Sequence, residues 1–155
     1  MEPVEVEGIE QLRELIGREL GPTEWLEITQ EDIDKFADVS RDHQWIHVDT
    51  ERAAKESPYG TTVAHGDLTL SLVDHFRPQL IRNDGVKMGI NYGFDRVRFP
   101  AAVPAGTRIR ARAEGTTVDE LGDGGWHIVT KFTIEGEGQD KPVCVAESVG
   151  RALVG

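Results

Sequence analysis

The chain has 155 residues, of which 38% are hydrophobic and 29% are charged, and this length and balance suit one globular domain spanning residues 1–155. Its 28 acidic and 17 basic residues give a formal net charge of -11, which disfavours non-specific binding to nucleic acid or anionic membranes. No segment approaches the roughly 20 apolar residues of a membrane span, and the N-terminal residues lack the pattern of a secretion signal. We therefore expect a cytoplasmic protein that binds neither nucleic acid nor membrane.

The first 40 residues predict two helices. In "GIEQLRELIGREL", about residues 8–20, apolar residues recur at helical spacing, and the Gly-Pro pair at 21 and 22 ends the pattern. In "TQEDIDKFADVS", residues 29–40, Thr29 can cap the N-terminus, and acidic residues follow where the helix dipole favours them. This second helix is expected to end near Ser40.

Two further helices are predicted in the middle of the chain. The segment "ERAAKE" predicts a short helix that Asp49 or Thr50 can cap. Leu68, Leu72 and Phe76 then recur every four residues, which indicates a helix with a buried face over about residues 66–77. We expect Gly66 to begin this helix and Pro78 to end or kink it.

From residue 86 to residue 154 the pattern changes to four long strands, separated by turns rich in glycine and proline. Helices early and strands late indicate an α+β fold with an antiparallel sheet. The single cysteine, Cys144, cannot form an internal disulfide, and the alternation around it predicts a residue of a half-buried strand rather than a reactive thiol.

The hexapeptide "DHQWIH", residues 42–47, follows the second helix and contains two of the five histidines. A metal site is one interpretation, because His43 and His47 would share one helical face, with Asp42, Asp49 and His65 as further ligands. Against it, Gln stands where a zinc-protease HExxH motif has its glutamate, and no cysteine pair is present. We therefore expect no bound metal.

An acid/base pair is the second interpretation of the same segment. A turn after the second helix would bring the Asp42 carboxylate and the His47 imidazole toward one water molecule, and this pair can transfer protons near neutral pH. A capping Asp42 and a structural His47 remain the plain alternative. Gly66 favours the acid/base interpretation, because a backbone N–H at the start of a helix can donate a hydrogen bond to an enolate or carbonyl oxygen.

Together these segments resemble the MaoC-like hydratases, the (R)-specific enoyl-CoA hydratase group of hot-dog folds. The resemblance rests on Asp42 and His47 at their spacing of five, on "VD" and a short helix, and on "GTTVAHGDLTLSL". The downstream "RVRFPAAVPAGTRIRARAE" is similar to that family's strand, proline turn, glycine and strand. The likeness extends from the second helix to "CVAES", and "DHQWIHVD" with "AHG" most resembles the branch that includes nodulation protein N.

The resemblance implies a single hot-dog domain, in which a five-stranded antiparallel sheet wraps around the helix that begins near Gly66. It implies that Asp42 and His47 activate the water that adds to a trans-2-enoyl thioester, giving an (R)-3-hydroxyacyl product, or catalyse the reverse. The Gly66 N–H would stabilise the enolate oxygen. The implied substrate is an acyl-CoA or acyl-carrier thioester, no cofactor is needed, and pairing of two sheets edge to edge implies a homodimer.

Three residues depart from the commoner family pattern. Gln44 and Trp45 stand where Asn and Pro are usual; Gln44 can donate amide hydrogen bonds to the site loop, and Trp45 is bulky enough to shape the acyl pocket. Asp67 replaces a large apolar residue and is expected to point away from the site, because its charge would oppose an enolate. His65 is expected to support the site by packing or capping.

Five arginines alternate along two strands, so that the members of each strand share one face: Arg96, Arg98, Arg108, Arg110 and Arg112. Most are expected to form ion pairs on a solvated face, and one or two to contact the phosphates of coenzyme A or of a carrier arm.

Two other functions remain open. A hot-dog acyl thioesterase would direct the activated water at the thioester carbonyl, and the fold alone does not distinguish it from a hydratase. A non-catalytic subunit that binds acyl thioesters or supports a partner is the third possibility, which Trp45 and Asp67 favour.

Overall fold

The computed structural model describes residues 2–153. Six helices lie within this range: α1 (Ile9–Glu14), α2 (Gln30–Ser40), α3 (Trp45–Val48), α4 (Thr50–Glu56), α5 (Gly66–Ser71) and α6 (Val73–Leu80). Eight strands accompany them: β1 (Val4–Val6), β2 (Glu19–Leu20), β3 (Leu26–Glu27), β4 (Ile81–Asn83), β5 (Met88–Arg98), β6 (Arg108–Glu120), β7 (Gly125–Gly136) and β8 (Cys144–Leu153).

The main sheet is antiparallel, with the strand order β2-β6-β7-β8-β5, and β3 pairs with β6 beside β2. Its six strands therefore occupy five positions, which confirms the predicted five-stranded antiparallel sheet. The four predicted long strands are β5 to β8; the predicted end of the last one, residue 154, lies outside the described residues. A separate parallel pair, β1 and β4, was not predicted.

Alternation along β6 explains how the sheet buries one face. Ile109, Ala111 and Ala113 are buried in the core, whereas Arg108 and Arg110 point to the opposite face. The core cluster combines this inner face with the helices and contains, among its fully buried members, Ile33, Phe76, Leu80, Phe132 and Ile134. Burial of this apolar surface is the main force that holds the central helix against the sheet.

The central helix begins at Gly66, as the sequence predicts, but it differs from the predicted range of 66–77 in two ways. It is divided into α5 and α6 at Leu72, and it continues past Pro78 to Leu80. Proline removes one backbone donor and crowds the carbonyl four residues before it, but burial of Phe76 and Leu80, both 0% exposed, favours the extra turn.

The first helix is shorter than the predicted range of 8–20, because α1 ends at Glu14. Gly17 has a φ of 85°, which turns the chain out of the helix, and its N–H donates to the carbonyl of Gly115. Leu20 is then buried by pairing of β2 with β6 rather than on a helix face. The helical spacing of the apolar residues was therefore misleading beyond residue 14.

Ion pairs occupy the outer face of β6, as expected. Arg108 donates to Glu137 at 2.8 Å, and both Arg110 and Arg112 lie against Glu135. The hydrogen bond from Arg108 lowers the pKa of the Glu137 carboxyl. Arg96 and Arg98 are exposed on β5, and neither has an ion pair within residues 2–153.

Cys144 is the first residue of β8 and is 0% exposed, which agrees with the predicted strand residue. Burial raises the pKa of its thiol to about 11. Across the described part of the chain, every helix is too short or too polar to cross a membrane.

Candidate active site

The hexapeptide forms a turn and then a short helix. The chain leaves α2 through Arg41, whose φ of 66° is left-handed, and α3 begins at Trp45. The Asp42 carboxylate accepts the backbone N–H of Gln44 at 3.3 Å, an interaction typical of an Asx turn. Asp42 and His47 therefore lie on two different elements, as the predicted turn requires.

The turn brings the Asp42 carboxylate and the His47 ring together. Oδ2 of Asp42 lies 4.0 Å from Nε2 of His47, which is too long for a direct hydrogen bond and leaves the separation that one bridging water spans. The side chain of Asp42 is 53% exposed and that of His47 is 12% exposed. The acid is thus open to solvent and the imidazole is largely covered.

Backbone contacts fix the orientation of His47. Its Nδ1 lies 2.7 Å from the carbonyl oxygen of Val63, and a carbonyl can only accept, so Nδ1 carries the hydrogen. In neutral His47 the nitrogen that faces Asp42, Nε2, is therefore an unprotonated acceptor. An acceptor and a carboxylate that face one another can bind both hydrogens of a single water.

His65 lies directly behind this pair. It is 4% exposed, its ring stacks on that of His47 with centroids 3.8 Å apart, and its Nε2 lies 3.0 Å from the carbonyl oxygen of Asp42. His65 is also the residue before Gly66, the first residue of α5. Among the described residues no acceptor is found for the Gly66 N–H, as is usual for the first turn of a helix.

Asp42, His47 and His65 offer ligand atoms within 4.8 Å of one another, so a metal ion has to be considered. The two rings are only 22° from parallel, however, so their in-plane lone pairs run side by side instead of converging on one point. Tetrahedral zinc requires converging ligands, and the stacked rings therefore fit a water better than a metal. The predicted alternative based on His43 and His47 is not formed, because His43 Nε2 lies 2.9 Å from Asp38 on the surface.

The fold agrees with the comparisons with known proteins. A family model described as "MaoC like domain" matches residues 11–135. The chain belongs to the MaoC-like dehydratase family. The predicted family and the predicted hot-dog fold are thereby confirmed.

Two curated relatives and one solved structure illustrate this membership. The chain is 48% identical over 145 residues to 3-hydroxyacyl-thioester dehydratase Z of Mycobacterium tuberculosis. The matched region covers 94% of this chain and 95% of that protein. The chain is 43% identical over 135 residues to nodulation protein N of Rhizobium leguminosarum bv. viciae, with coverage of 84% and 82%. The (R)-hydratase from A. caviae shares the fold, with a TM-score of 0.67 at 22% identity and coverage of 87% and 94%.

Gln44, Trp45 and Asp67 contribute less directly than their positions in the sequence suggest. Gln44 meets Asp42 through its backbone N–H, and Trp45 lies against Arg52, whose guanidinium carbon is 4.3 Å from the ring centroid. Asp67 is exposed.

Gln30 is a site residue that the sequence did not indicate. From the first turn of α2 it donates to the carbonyl of His47 at 2.8 Å and accepts the hydroxyl of Thr62, which is 1% exposed. It thus connects α2, α3 and the segment before α5. No local motif marks a glutamine for such a contact, because its partners lie 17 and 32 residues away.

Two cavities lie near the central helix of this MaoC-like dehydratase. The smaller, about 290 Å³, is bordered by Gly66, Thr69 and Phe99. The larger, about 630 Å³, lies between the sheet, α1 and α6, and its wall is largely apolar, including Leu12, Ile16, Ile128 and Phe132. Space for a ligand therefore exists both beside Gly66 and toward the other end of the helix.

Proposed function

We propose that the protein is a hydratase/dehydratase that adds water to trans-2-enoyl thioesters, giving (R)-3-hydroxyacyl thioesters, or removes it in the reverse direction. The observation that most supports this is the 4.0 Å gap between Asp42 Oδ2 and His47 Nε2, with the other nitrogen of His47 bonded to a carbonyl. Family membership and the name of the mycobacterial relative support a thioester substrate.

In hydration, a water held by Asp42 and His47 attacks C3 of the enoyl group. The water oxygen bonds to C3, the electrons of the C2–C3 double bond shift toward the thioester carbonyl, and the enolate then takes a proton at C2. One proton passes from the water to the Asp42–His47 pair, and the pair supplies the proton for C2. One water is added in total, and dehydration is the reverse sequence.

Gly66 is the proposed donor to the enolate oxygen. Its N–H has no other acceptor in the described structure, and it borders the 290 Å³ cavity in which a thioester carbonyl would lie. A side chain here would meet Phe99, since a Cβ atom on residue 66 would lie 3.0 Å from that ring. Glycine therefore allows the Phe99 ring to lie close to residue 66, and a Cβ there would force the ring to shift in the cavity beside the Gly66 N–H.

The larger cavity is the proposed site for the acyl chain. Its volume of about 630 Å³ lies within the range of about 300–1,000 Å³ that is usual for small-molecule sites, and its wall is mainly apolar. Apolar walls stabilise an alkyl chain by removing it from water. An acyl chain of more than four carbons is therefore expected to bind better than a crotonyl group.

Strand β5 is the proposed homodimer interface. It pairs with β8 on one side, and no strand pairs with its other side within residues 2–153. The exposed apolar residues Met88, Ile90, Tyr92 and Phe94 lie along it. A free edge with apolar side chains favours pairing with a second copy of the same strand.

The test of the proposed function is incubation of the purified protein with trans-2-enoyl-CoA substrates of increasing chain length. We expect loss of the enoyl absorbance and, on chiral analysis, an (R)-3-hydroxyacyl product. Release of free coenzyme A thiol without hydration would instead identify a thioesterase. Binding of enoyl-CoA without any turnover would identify a non-catalytic binder.

A further inference from the structure

His65 contacts both members of the proposed acid/base pair. Its ring lies between two others: His47 of α3, stacked at 3.8 Å between centroids, and Phe36 of α2, tilted at 4.9 Å. At 4% exposure this ring is covered on its faces. It therefore forms a fixed support for the His47 imidazole.

The hydrogen bond of His65 reaches the other member of the pair. Its Nε2 lies 3.0 Å from the carbonyl oxygen of Asp42, and because a carbonyl only accepts, Nε2 must carry the hydrogen. Its Nδ1 is buried and has no partner among the described residues. His65 thus holds the peptide of Asp42 with a defined tautomer, while His47 has the opposite one, with its hydrogen on Nδ1.

Apart from the contact with His65, the hydrogen bonds that hold Asp42 lie within its own turn, where its N–H donates to Ser40 Oγ at 3.3 Å. Asp42 is exposed and follows a left-handed residue, and its carboxylate has one backbone donor, the Gln44 N–H at 3.3 Å. A loop with so few constraints has several accessible positions, and the distance between the two groups would vary with them. A contact to the Asp42 backbone from a buried ring restricts that freedom.

We propose that His65 is a positioning residue, which sets the 4.0 Å gap between Asp42 and His47 by holding the backbone of one and the ring of the other. This inference rests on the proposed function. It also connects the pair to the enolate donor, because the residue after His65 is Gly66. All three groups of the site then share one buried support.

Two substitutions separate the two contacts. His65→Phe keeps a ring that can stack on His47 but removes the donor to Asp42, whereas His65→Gln keeps a donor and removes the ring. We expect kcat for enoyl-CoA hydration to fall about 100-fold in the Phe variant, as for a misplacement of reacting groups by about 1 Å, with KM nearly unchanged. His65→Gln should retain more of kcat than His65→Phe, and the pH profile of kcat should change in both.

A merely structural His65 would lower the melting temperature and leave kcat of the folded fraction unchanged. A folded His65→Phe variant with a kcat within about twofold of wild type, less than about 0.4 kcal/mol, would therefore overturn the inference. Should that variant not fold, His65→Gln tests the other contact: it lacks the ring that stacks on His47, and a kcat within about twofold of wild type would overturn the part of the inference that rests on that ring.

Nitrogen NMR of the histidines tests the wild-type protein without any substitution. We expect neutral His65 to carry its hydrogen on Nε2 and neutral His47 to carry it on Nδ1. The opposite tautomer at His65 would contradict the inference whether or not the protein hydrates enoyl thioesters. If wild type is active and Asp42→Asn is not, but His65→Phe is fully active, only the inference about His65 fails.

Discussion

Asp42 and His47, five residues apart in the sequence, face one another across a 4.0 Å gap between a carboxylate oxygen and an imidazole nitrogen. The gap exists because the chain turns at Arg41 and only then enters α3. A single helix through both residues would have placed them on different faces. The turn is therefore as important to the site as the two side chains.

Gly66→Ala is expected to lower kcat by about tenfold, less than the full loss of an enolate donor. The new Cβ would meet the Phe99 ring at 3.0 Å, and the ring would have to move into the small cavity. Gly122→Ala is the matched control, because its Cβ would lie in open space. Steady-state hydration kinetics of both variants provide the measurement, and equal activity of the two would show that the site does not need the space that glycine leaves at position 66.

Ile128→Trp tests the larger cavity as the acyl site. The indole would fill part of the 630 Å³, so we expect kcat/KM for ten-carbon enoyl-CoA to fall at least about tenfold. Hydration of crotonyl-CoA by the same variant is the internal control and should change little, because a four-carbon chain needs less of the cavity than a ten-carbon chain. A parallel loss on both substrates would place the acyl chain elsewhere.

Tyr92→Glu tests β5 as the interface. Wild type is expected to have about twice the chain mass of 17.2 kDa in solution, by light scattering after size-exclusion chromatography. A charge at this exposed position on the free edge should shift the mass to that of one chain. Val39→Glu, on the exposed surface of α2, should remain a dimer. If the Tyr92→Glu protein is still a dimer, this part of β5 does not form the dimer interface.

Cys144 should be unreactive in the folded protein. Burial raises the pKa of its thiol from 9.0 to about 11, so the unfolded chain ionises at lower pH than the native one. The free energy of unfolding should accordingly fall as the pH rises from about 9 to about 11. Cys144→Ala should show a weaker decrease over that range in denaturant titrations. Alkylation of native protein at the rate of unfolded protein would contradict this burial.

Much of the fold could be predicted because local patterns and burial agree. In β6, alternating Arg and apolar residues predict both the strand and its buried face, and Thr29 does cap α2 through a capping box with Asp32. The helical spacing of the apolar residues gave a wrong prediction where a single glycine ends the helical region. Gly17 turns the chain, although Leu20 continues the helical spacing beyond it.

The candidate site also has residues that the sequence indicates and contacts that it does not. Asp42, His47 and Gly66 stand in short recognisable segments, so the sequence indicates them. The contacts of His65 with Asp42 and of Gln30 with His47 join residues 23 and 17 positions apart, and only the folded chain brings these together. Sequence patterns report on neighbours along a helix or strand, not on such long-range hydrogen bonds.

The most direct test of the central claim is hydration of a medium-chain trans-2-enoyl-CoA by wild type and by Asp42→Asn, compared at equal folded concentration. We predict that wild type removes the enoyl absorbance and that the variant loses about 10²–10⁴-fold in kcat, the usual contribution of a positioned acid or base. Binding of the thioester, measured by calorimetry, should change only modestly. Unchanged turnover by Asp42→Asn would contradict the account.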